Sequence, residues 1–125
     1  MNTEITQAYM MEMLGKSRLF TALLLRLTDK YDPNAGPDSE QRKTIWLHGK
    51  RNFELRASGV MPIVGPVLQP PYAGLAVFVV SPEETRKIMD EDPAVKAGYF
   101  TFELLPWRSF PGDALTEPQF QLPVA

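Results

Sequence analysis

The stretch Leu75 to Val80, LAVFVV, limits the fold more than any other part of the chain. It has no polar residue on either side of a strand's alternation, so a strand built from it must be covered on both faces. Ser81-Pro82-Glu83-Glu84 follows at once. This pairs a capping serine with proline at the first helical position and a glutamate that reaches back, which predicts a helix to about Asp90. Asp92-Pro93 repeats the device for one more turn through Lys96, and Gly98 ends it. Tyr99 to Leu105, YFTFELL, alternates and reads as a last strand.

The part before it has the mirrored order. Arg18 to Thr28, RLFTALLLRLT, reads as a buried strand by its length and by the polar turn that follows. Asp29 to Asp38, DKYDPNAGPD, is a loop. Asp38 and Gln41 form a candidate capping box for a helix that reaches about Ser58, with Gly59 as its left-handed stop. On that helix Ile45, His48, Asn52 and Leu55 share one stripe, and Trp46, Phe53 and Ala57 form a neighbouring one. Val60 to Val67, VMPIVGPV, is a short strand whose Pro62 suits an edge or a bulge.

The order is strand, helix, strand, strand, helix, strand. This is the α+β, ferredoxin-like βαββαβ arrangement: a four-stranded antiparallel sheet with two helices on one face. The other face of such a sheet is left bare. A second copy of the sheet is the simplest cover, so the chain is expected to form a homodimer or a higher homo-oligomer. Residues 1–17 stand outside this unit as an N-terminal extension. Tyr9, Met10, Met13 and Leu14 lie there at helical spacing, which fits a short amphipathic helix or a loose leader. Residues 18–107 form the domain, and 108–125 a proline-rich C-terminal tail expected to be extended.

Bulk composition excludes several classes. The chain has 125 residues, a net charge of −2 and no cysteine. One domain is expected from that length. No clustered Lys and Arg track a phosphate backbone, which argues against nucleic acid. No apolar run approaches the ~20 residues of a membrane span, and the N-terminus lacks a signal peptide's pattern. A cytoplasmic protein that touches no membrane is the expectation. One histidine and no cysteine argue against a metal site, and no GxGxxG or P-loop pattern points to a nucleotide cofactor. No cofactor is therefore expected.

His48, Gly59, Gly65-Pro66, the apolar strand, the Ser-x-x-Glu helix start and Asp92-Pro-x-x-x-Ala-Gly98 together resemble the YciI-like (YCII-related) family over roughly residues 18–107. The resemblance implies a dimeric α/β barrel, an architecture shared with muconolactone isomerases and cofactor-free monooxygenases. Most such proteins have no established activity. A dehydrochlorinase acting on a chlorinated hydroxyhydroquinone is an enzymatic example, with a His–Asp pair as its proposed machinery. By that pattern His48 carries over as a catalytic acid/base and Asp92 as its carboxylate partner.

Imidazole titrates near ~6.5 and both takes and releases protons at neutral pH, so His48 suits elimination, isomerisation or proton abstraction beside a carbonyl. Arg51 and Arg42 are candidates to hold an anionic substrate, and Trp46, Tyr72, Tyr99 and Phe102 to wall a site for a small ring-like molecule. Plainer roles stand beside each. Asp92 before Pro93 is explained by capping, the arginines by solvation and the aromatics by core packing. The expected function is a cofactor-independent lyase or isomerase acting on small cyclic or aromatic metabolites. The alternatives are a non-catalytic dimeric module that binds a small ligand or assists a partner, and a cofactor-free monooxygenase.

Overall fold

A computed structural model of the chain describes residues 4–113, 115 and 118. The chain divides into two compact units, residues 19–107 and residues 1–18 with 108–125. In the second unit, helix α1 (Gln7–Lys16) is capped by the Thr6 hydroxyl, which accepts from Tyr9 N at 3.1 Å. None of its residues is buried. The extended tail expected over 108–125 falls mostly outside the described residues.

The larger unit is α+β. Strand β1 (Arg18–Leu27) leads to α2 (Glu40–Ser58), β2 (Ile63–Pro66), β3 (Tyr72–Phe78), α3 (Pro82–Asp90), the single turn α4 (Pro93–Lys96) and β4 (Phe100–Ser109). The strands form one open antiparallel sheet in the order β2-β3-β1-β4, compatible with a ferredoxin-like fold. Thr21 faces Phe78, Leu23 faces Ala76 and Leu24 faces Leu75, with a bulge between Leu25 and Arg26. Since side chains alternate, Thr21, Leu23, Ala76 and Phe78 share one face of the sheet. Leu23, Ala76 and Phe78 meet Met89 of α3, Ala94 of α4, and Ile45 and Leu55 of α2 in one core. Both long helices of this unit therefore cover the same face. The buried Thr21 hydroxyl donates to Val80 O at 2.7 Å, so its polar group costs little there.

Local chemistry moves some boundaries from those the sequence suggests. Ser39, not Asp38, caps α2: its hydroxyl accepts from Arg42 N at 3.2 Å. Gln41 does not complete a capping box. Its amide turns back to the loop, accepting from Asp32 N at 2.9 Å and donating to Asp32 O at 2.8 Å. That exchange ties the 29–38 loop to the helix start. Strand β2 begins after Pro62, and β4 runs on through Pro106 to Ser109. Both are edge strands, where a residue lacking an N–H need not break a ladder. Gly59 stops α2 with φ 86°, the left-handed position expected of it.

The second sheet face carries Ala22 and Leu24 of β1 and Leu75 and Val77 of β3. Leu75 is 46% exposed and Leu105 and Trp107 43% each. Phe20 and Trp107 approach to 6.4 Å between ring centroids. No helix among the described residues is long and apolar enough to cross a membrane.

Candidate functional site

Helix α2 and the turn α4 bring His48 and Asp92 together across 44 positions of sequence. His48 Nδ1 lies 2.8 Å from Asp92 Oδ1, and both residues are buried. An ionised Asp92 places a proton on His48 Nδ1. Asp92 Oδ2 accepts from Ala94 N at 3.0 Å and from Val95 N at 3.2 Å, the free N–H groups at the start of α4. Oδ1 is left to accept from His48, so Nδ1 carries a proton and, in the neutral ring, the lone pair is on Nε2. Asn52, one turn further along α2, directs its Nδ2 amide at that lone pair from 3.2 Å. Phe100 of β4 meets the imidazole edge-on at 5.0 Å and fixes its plane.

Burial pushes the Asp92 carboxyl up. The hydrogen bond from His48, that ring's positive charge when protonated, and the Val95 and Ala94 N–H groups outweigh this and hold it below the usual carboxylate range. Arg51 lies beside the pair. Its Nη1 sits 3.9 Å from Asp92 Oδ1, while Nη2 donates to Ile88 O at 2.7 Å. Nη1 is buried and has no hydrogen-bond partner among the described residues.

A cavity of about 340 Å³ lies between α2 and the sheet. His48 and Asn52 are the polar side chains of its wall. The rest is apolar, including Leu23, Leu25, Met61, Met89 and Phe100.

The other candidate residues lie elsewhere. Arg42 and Trp46 line an adjoining depression along α2, which shares Ile45, Gly49 and Phe53 with the cavity, and Trp46 is 78% exposed there. Tyr72 opens β3 beneath the Arg26 guanidinium, 5.1 Å from its ring centroid. Tyr99 packs under Lys30 and Phe102 under Arg86. Arg51 is beside the pair but not in the cavity wall. Asn52 and Phe100 were not singled out for the site from the sequence. Asn52 had a signal, since it falls four residues from His48 on the same stripe. Among the described residues, no three His, Asp or Glu side chains gather as a metal ligand set.

No family model matches the chain, and no curated protein matches it.

Proposed function

We propose that this chain is a cofactor-independent lyase or isomerase of small ring compounds, with His48 as the acid/base and Asp92 as its partner. The observation that carries the reading is a buried imidazole that lines a cavity and is paired through Nδ1 with the Asp92 carboxylate. In such a site Nε2 takes a proton from a carbon beside a carbonyl. The C–H electron pair passes into the enolate. After the imidazolium has exchanged its proton with solvent, Nε2–H protonates the same or a different carbon, the latter giving an isomer, or the enolate expels a leaving group, giving an elimination product. Asp92 stabilises the imidazolium between the two steps. The resemblance to the YciI-like family supports this assignment.

Exchange of carbon-bound hydrogen with deuterated water tests it, over a panel of ring ketones, lactones and ring carboxylates. At least one compound should exchange faster with the native protein than with His48→Ala. If none does, the proton-transfer reading is wrong. A second reading, a ligand-binding module without catalysis, draws on the Asn52 amide that occupies Nε2. It expects a compound that binds at the cavity and exchanges no proton.

We also infer a homodimer closed by the open sheet faces, because an apolar face of this kind marks an interface. Leu75→Arg tests that inference in solution. The side chain is half exposed in the single chain, so the fold tolerates the change. In the dimer it buries an unpaired charge, which should weaken association by at least about 100-fold. Sedimentation should show a dimer turning to monomer with an unchanged circular dichroism spectrum. A native protein that sediments as a monomer would remove the dimer from the proposal.

A further inference from the structure

We infer that the His48 cavity takes a neutral, ring-sized ligand carrying a carbonyl oxygen, and that Asn52 is the residue that anchors that oxygen. The inference rests on the proposed site and goes on to name the charge class of what it binds.

The cavity wall sets the charge class. Of its side chains only His48 and Asn52 are polar, and neither is a fixed charge. An anion entering the cavity would lose its water and meet no cation to replace it. Arg51 cannot serve, because it lies against Asp92 and outside the wall. A cation fares no better, since Asp92 is fully buried behind the imidazole. What remains favourable is an apolar body with one polar end.

The polar end is set by the two groups on α2. The Nε2 lone pair accepts, and the Asn52 Nδ2 amide beside it donates, 3.2 Å apart. In the resting protein they satisfy each other. A ketone or lactone that enters offers the amide a better acceptor in its carbonyl oxygen, and that shift uncovers Nε2 for the adjacent C–H. Asn52 thus has two positions, one on His48 and one on the ligand. A carboxylate would also draw the amide, but at the cost of burying its charge among Leu23, Leu25, Met61 and Phe100.

A matched pair of probes tests this: cyclohexanone and cyclohexanecarboxylate, titrated into labelled full-length protein. The His48 ring and Asn52 side-chain amide resonances report the site directly, without any turnover. Cyclohexanone should shift both and bind at least tenfold tighter than the carboxylate. Asn52→Leu, which keeps the bulk and removes the amide, should weaken cyclohexanone about tenfold, as expected for one lost hydrogen bond. Equal or tighter binding of the carboxylate at the same resonances would overturn the neutral class. Unchanged cyclohexanone affinity in Asn52→Leu would overturn the anchoring role. If neither probe moves the His48 signals, the whole inference falls. The comparison of the two probes on native protein stands even where the variant folds poorly. Cyclohexanone binding without proton exchange across the panel defeats the catalytic reading alone, and a preference for the carboxylate defeats this inference alone.

Discussion

Replacing Asp92 with alanine should destabilise the protein by about 2–4 kcal/mol, a large share of the 5–15 kcal/mol that holds a domain of this kind together. Two losses add. The first is the cap of α4, where Oδ2 satisfies the Ala94 and Val95 N–H groups; a lost cap costs about 1 kcal/mol. The second is the His48 Nδ1–H, left buried with no acceptor, at about 1–3 kcal/mol. Arg51 also loses the counter-charge that faces it. Denaturant midpoints at neutral pH measure the sum. A loss under about 0.5 kcal/mol, within what surface changes produce, would mean that neither bond is made in solution.

The same carboxylate leaves a mark on acid stability. Its folded value lies below the ordinary one, so the fold prefers the ionised form. That contribution is fully present above the unfolded value of about 3.9 and is lost as pH falls through the lower folded value. The native protein should therefore lose stability below about pH 4 more steeply than Asp92→Asn. Matching acid limbs in the two proteins would show that Asp92 gains nothing from its charge in the fold.

Much of the fold is legible in the residues because local and global signals agree. Ser81-Pro82, Asp92-Pro93 and Gly59 each name a helix end by a backbone requirement that holds in any context. The order of strands and helices then leaves few topologies. The misplaced start of α2 has the opposite cause. Asp38 and Ser39 are both good caps, and the choice between them is made by Gln41 reaching nine residues back to Asp32, a tertiary contact that no local pattern encodes. The strand Tyr72–Phe78 starts three residues before the apolar run because Tyr72 pairs with Arg26 past the bulge in β1. For the site, spacing on α2 places His48 and Asn52 side by side. It says nothing of Asp92, 44 residues on, whose sequence context announces only a cap. In the structure Asp92 is both cap and partner, one oxygen for each, so the cap that explains it locally does not exhaust it. Aromatic residues misled for a related reason. Trp46 lies two residues from His48, about 160° around the helix, and that rotation turns it to the exposed side.

The division of labour between the two oxygens of Asp92 makes asparagine there the most informative change. An amide has one acceptor, not two. If its oxygen stays on the Ala94 and Val95 N–H groups, as the helix start demands, its NH2 must face His48 Nδ1. That nitrogen then has to accept, and the ring proton moves to Nε2, the nitrogen that faces Asn52. The protein keeps its fold and its histidine but loses its base. Proton transfer should fall by about 10²–10⁴-fold, the range that a positioned acid/base supplies, and the same wrong-tautomer swap in a serine-hydrolase triad lies at about 10⁴. His48→Ala should fall at least as far, and combining the two changes should add little, because each removes the same function. Nitrogen NMR of the single histidine reads the tautomer without reference to any substrate. Native protein should show the proton on Nδ1 and Asp92→Asn should show it on Nε2. An unchanged tautomer would mean that the amide oxygen follows the imidazole and not the helix, and the α4 cap would then be the bond that breaks. Melting of the turn at Pro93–Lys96 separates the two outcomes, since only the second exposes the Ala94 and Val95 N–H groups to exchange.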